Sequence, residues 1–87
     1  MFGATFTPVT AGEKSQFKIS GGVKITSISD GRFRDLGLSK GTVIIDVNGV
    51  KVNSGSDVRK ATGDEKSLTS VEGFTPDGTY FKYQTRR

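Results

Sequence analysis

The 87-residue chain contains neither histidine nor cysteine. This removes the commonest general base and the best nucleophile. It also excludes a disulfide and a thiolate metal site. Hydroxyls, amines and carboxylates remain. Ser39-Lys40 sets a hydroxyl beside an amine, but adjacent residues in a turn do not face each other, so a solvated turn explains the pair. Asp64-Glu65 offers two carboxylates to a cation, yet no third ligand stands at a useful spacing. Gly21-Gly22 and Gly31 do not follow phosphate-loop spacing. Phe6, Phe33, Phe74, Tyr80, Phe81 and Tyr83 could stack on nucleic-acid bases. They alternate with polar residues on predicted strands, so core packing accounts for at least half of them. No catalytic residue, metal or cofactor is expected, and the chain does not read as an enzyme.

Composition supports that reading. One domain, residues 1–87, is the default at this length, with one small core and little margin. The hydrophobic fraction is 32% and 12 of 87 residues are glycine, which favours a turn-rich β protein over a helical bundle. No apolar run approaches a membrane span, and no signal-peptide pattern is visible. The expectation is a cytosolic protein or a trimmed piece of a larger one. The net charge of +4 comes from scattered residues. Lys14, Lys18 and Lys24 are far apart, Asp30 and Asp35 flank Arg32 and Arg34, and only Arg86 and Arg87 adjoin. A small basic nucleic-acid-binding β-barrel needs a contiguous basic face, so nucleic acid is not an expected partner.

The elements follow from local pattern. Ala4 to Val9 alternates loosely and reads as a strand ending near Pro8. Thr10-Ala11-Gly12-Glu13 is a capping box, followed by a helical turn through Phe17. After Gly21-Gly22, the apolar residues Val23, Ile25 and Ile28 mark a strand, with Lys24 and Thr26 opposite. Asp30 can cap a short helix in which Phe33 and Leu36 share a face. Val43 to Val47 is β-branched and nearly all apolar, a buried strand. Asn48-Gly49 is the strongest short hairpin signal, leading to a strand at Val50–Val52. Ser54-x-x-Asp57 is a second capping box, opening a helix over Ser56–Thr62 with Val58, Ala61 and Thr62 on its apolar face and Gly63 at its end. Leu68 to Phe74 and Thr79 to Thr85 read as strands joined by Thr75-Pro76-Asp77-Gly78.

The stretch from Leu36 to Val52 is the most informative. Gly37-Leu38, Gly41-Thr42, the apolar strand and Asn48-Gly49 follow in an order that resembles the heart of a PDZ domain. Gly22-Val23-Lys24-Ile25-Thr26-Ser27-Ile28-Ser29-Asp30-Gly31 and Glu72-Gly73-Phe74-Thr75-Pro76-Asp77-Gly78-Thr79 are similar to the last PDZ domain of HtrA/Do-type periplasmic serine proteases, in their Bacteroidetes-like branch. The resemblance implies a mainly β fold with two short helices. It would be a partly open β-barrel or sandwich of five or six strands in the permuted bacterial order, groove strand first. It also implies the cell envelope or periplasm as location. Three positions depart from the family: Thr42 replaces a usual Asp, Phe33 fills a usually small position, and Gly55 stands where a groove-facing side chain is expected. The protease domain's own His, Asp and Ser motifs are absent.

Under this resemblance the start of the chain becomes a binding site. Met1-Phe2-Gly3-Ala4 looks like the loop with which PDZ domains hold a peptide's terminal carboxylate. A glycine lets consecutive N–H groups converge on an anion. The strand Ala4-Thr5-Phe6-Thr7 would leave an edge open for a peptide to join as an extra strand. Ala4 and Phe6 would share one face. The Ser56–Thr62 helix would form the other wall, with Arg59 and Gly55 toward the groove. The implied site is therefore Phe2, Gly3, Ala4, Thr5, Phe6, Gly55 and Arg59. Peptide or unfolded-protein segments would be the partners, along with neighbouring domains or subunits of a parent protease. An assembly role with little peptide binding is the alternative. PDZ domains of membrane-embedded metalloproteases or of secretion proteins are further parents to weigh.

Overall fold

The computed structural model describes residues 4–29, 31–63 and 68–84. The strand expected at the start is β1, Ala4–Pro8. It is followed by helix α1, Ala11–Phe17, and strand β2, Val23–Ile28. The Thr10–Glu13 box is complete. The Glu13 N–H donates to Thr10 Oγ1 at 3.2 Å, and the Thr10 N–H to Glu13 Oε1 at 3.0 Å. A single helical turn, α2, covers Arg32–Asp35. It ends in a Schellman motif: Gly37, at φ 89°, and Leu38 donate back to Arg34 and Phe33 carbonyls. The proposed capping residue Asp30 lies outside the described residues.

Strand β3, Val43–Val47, is the hub. Its first residues pair with β2, and its last pair with β4, Val50–Lys51. Strand β5, Ser70–Phe74, runs along its other side. Asn48 and Gly49 both have positive φ, 55° and 81°, the type I′ geometry that links β3 to β4. Helix α3, Gly55–Ala61, follows, and the last strand β6, Tyr80–Gln84, pairs with β5 residue for residue. The register of β3 against β5 shifts between Ile44 and Asp46. Gly73 faces that shift, and a Cβ on it would lie 1.9 Å from the Val43 carbonyl oxygen. Only glycine permits so close an approach of the two backbones.

The chain is thus mainly β, with two seven-residue helices and one four-residue turn among the described residues. The six strands form one antiparallel sheet in the order β1-β2-β3-β5-β6, with β4 on β3. The expected barrel-like or sandwich closure is corrected: β1 and β6 stand at opposite ends of this order and do not pair, so the sheet is open. Helices and loops cover its apolar face in place of a second sheet. Phe33 from α2, Val58 from α3, and Leu38, Val52 and Leu68 from connections pack with Ile25, Ile44, Val47, Val71 and Phe81 of the strands. Two strands are shorter than their patterns suggest. Val52 and Leu68 leave the sheet and are used as core plugs, both nearly fully buried.

Candidate functional site

Ala4 is buried and Phe6 half-buried on one side of β1, while Thr5 and Thr7 are exposed on the other. This is the expected alternation. A bulge falls between Thr5 and Phe6 in the pairing with β2. The outward hydroxyls form a small cluster. Thr5 Oγ1 lies 2.9 Å from Thr26 Oγ1 and 2.7 Å from Ser27 Oγ, and the Thr26 hydroxyl also contacts the Thr5 carbonyl oxygen at 3.2 Å. The inward ring of Phe6 packs edge-on against Phe33, with centroids 5.7 Å apart and planes at 76°. Phe33 itself is fully buried. The bulky residue at a position where the resembled family is usually small is therefore the support beneath Phe6.

The other wall is α3. Ser54 is its N-cap, accepting from the Asp57 N–H at 3.3 Å. Asp57 does not complete a capping box on Ser54. Its carboxylate reaches one residue further, to the Asn53 N–H at 2.9 Å. Val58 is fully buried, and Thr62 is buried with its hydroxyl donating to the Val58 carbonyl. With Val58 and Thr62 turned to the core, Gly55, Ser56 and Arg59 share another face, as their helical spacing dictates. That face meets β1. A cleft of about 400 Å³ lies between the two elements, lined by Thr5, Phe6, Gly55, Ser56 and Arg59.

Four of the seven residues expected at the site are brought together: Thr5, Phe6, Gly55 and Arg59. Ala4 does not line this cleft. Its side chain is buried in the core beneath the strand, so only its backbone stands at the edge. Phe2 and Gly3 lie outside the described residues, as do Asp64-Glu65 and Arg86-Arg87. Ser56 was missed, although its position three residues before Arg59 was the signal that could have found it. A second cleft, of about 340 Å³, is also unforeseen. Ile19, Ile45 and Val52 give it apolar walls, with Lys18, Lys51, Asp46 and Glu72 around them.

The clearest electrostatic feature is outside both clefts. Lys24 Nζ lies 2.7 Å from Glu13 Oε2. This hydrogen bond, helped by the Thr10 N–H, lowers the Glu13 carboxyl from 4.5 to about 2. Tyr80 donates to Glu72 at 2.5 Å, which raises the phenol above its ordinary value. Among the described residues no three His, Cys, Asp or Glu side chains are grouped to hold a metal ion. No helix among them is long and apolar enough to cross a membrane. The β1–α3 cleft therefore combines an open strand edge, an aromatic floor, two hydroxyl-bearing residues and one arginine. No protein-family model, curated protein or solved structure matches the chain.

Proposed function

We propose that this chain is a non-catalytic, PDZ-like module that binds an extended peptide as an added strand on β1. The observation that carries the reading is the cleft between β1 and α3. Among the described residues β1 pairs only with β2, and its other edge borders the helix wall. A peptide entering there gains main-chain hydrogen bonds from the strand and side-chain contacts from Phe6 and α3. Placement of the groove strand first in the chain is the permuted bacterial arrangement. In this reading the module belongs to an HtrA/Do-type protease of the cell envelope and delivers C-terminal or unfolded segments to it. Short peptides should bind weakly, on the order of micromolar or poorer. Arg59 adds a mild, salt-sensitive preference for an acidic residue.

The test is amide chemical-shift mapping with a pool of peptides ending in apolar residues. Shifts should gather on Thr5, Phe6, Gly55, Ser56 and Arg59. Shifts confined to the β5–β6 hairpin, with none near β1 or α3, would refute the groove. A second reading, assembly between subunits, draws on a different observation. Among the described residues strand β6 also has an unpaired edge in the sheet order, and its Tyr80 and Tyr83 are exposed. Self-association without peptide binding would favour that role.

A further inference from the structure

We infer that the groove selects a large aromatic side chain, seated in the cleft against the Phe6 ring, beside Gly55. The inference rests on the peptide-binding reading above. Gly55 is the first residue of α3. Six other glycines occupy positive φ, but Gly55 does not. No turn or close backbone approach requires it. A Cβ built there would meet only the Phe6 ring, at 3.9 Å, an ordinary contact. Alanine would fit this position and would favour the helix more. What glycine provides is a methyl-sized opening beside the Phe6 ring, so no α3 side chain at this position covers the ring.

The floor of this space is aromatic and already organised. Phe33 holds the Phe6 ring edge-on from below, and Phe33 itself is fully buried and packed in the core. A third ring entering from the peptide extends the Phe33–Phe6 pair. Offset or edge-to-face aromatic contacts favour a ring over an aliphatic side chain beyond what area alone gives, by about two- to tenfold in affinity. A cleft of about 400 Å³ has room for a phenyl or indole group. Ser56 lines the same cleft, so the polar edge of a tryptophan or tyrosine has a hydroxyl partner within the site.

The experiment uses a seven-residue host peptide of alternating threonine and alanine with a free C-terminus. Leucine, phenylalanine or tryptophan replaces one alanine at a time, and each peptide is titrated by amide chemical shift. Phenylalanine or tryptophan at one position should bind about two- to tenfold tighter than leucine there. Gly55→Leu fills the space, and Phe6→Leu removes the aromatic floor while keeping it apolar. Each should bring the aromatic-to-leucine ratio to about one. Thermal melts and amide spectra of both variants establish that they fold. Equal binding of leucine and aromatic peptides overturns this inference alone, as does a ratio that survives both substitutions in folded protein. Failure of every peptide to shift β1 or α3 overturns the groove and this inference together.

Discussion

At the scale of single residues, one ion pair sets a pH dependence. Glu13 closes the α1 capping box and also receives Lys24 from β2. Its carboxyl is held at about 2 in the folded chain against 4.5 without these partners. A lowered carboxyl contributes stability that is complete above the unfolded value and is lost as pH falls through the folded one. The contribution should therefore be whole at pH 6 and fade between about 4.5 and 2. Lys24 is 39% exposed at its side chain, so solvent screening keeps the effect modest. Thermal melts of the parent and Glu13→Gln should differ at pH 6 and converge toward pH 2. A constant gap down to pH 2 would mean that the glutamate acts through its shape and not its charge. The pair also shows what sequence could and could not give. The capping box was legible in the Thr10–Glu13 spacing, whereas Lys24 lies eleven residues on and reaches Glu13 only because β2 folds back beside α1.

At the scale of elements, Asn48 joins three of them. Its turn role was legible, since Asn-Gly is the type I′ signature. Its second role was not. The side-chain amide donates to the Ala61 carbonyl at the end of α3, at 2.9 Å. Its oxygen accepts from the Thr69 and Ser70 N–H groups at 2.7 and 3.2 Å. Asn48 thus ties the wall of the candidate groove to the start of β5. Asn48→Gly keeps the positive φ but removes the side-chain bonds, while Asn48→Ala loses both. These groups are exposed or half-buried, so water replaces part of what is lost and the cost is about 0.5–1.5 kcal/mol. Asn48→Gly should lose most of this in denaturant melts, and Asn48→Ala somewhat more. If Asn48→Gly is as stable as the parent, the turn alone matters and the clamp on α3 contributes nothing. The same contrast explains which elements could be read in advance. Strands announced themselves through β-branched runs such as Val43–Val47. Bulges and plugs did not: nothing local in Ile44-Ile45-Asp46 reports that its partner across the sheet is a glycine pressed against a carbonyl.

At the scale of the whole molecule, the question is how an open sheet avoids pairing with copies of itself. Openness is not expansion: the radius of gyration is 11.5 Å, against about 12 Å expected for a folded domain of this length. The hazard lies in the two edges. Strand β1 ends at Pro8, which has no N–H to offer, and its free edge faces α3 across the cleft. Strand β6 has neither device. Its five residues follow β5 in unbroken register, and its outward residues include Tyr80 at 52% exposure. Its one charge is Lys82, at the middle of the strand. Two copies pairing antiparallel about that residue would set two ammonium groups opposite each other, and like charges there oppose pairing. Lys82 is thus the guard of this edge. Lys82→Val should lower the concentration at which the protein self-associates, by roughly fivefold for one removed cross-strand repulsion. Lys82→Glu keeps the repulsion with reversed sign and should remain as dispersed as the parent. An equimolar mixture of the parent and Lys82→Glu should associate more readily than either alone, and added salt should weaken that effect. Sedimentation velocity across a concentration series reads all of these. If Lys82→Val and the mixture both sediment like the parent, β6 is not an association edge, and the assembly reading loses the surface on which it depends.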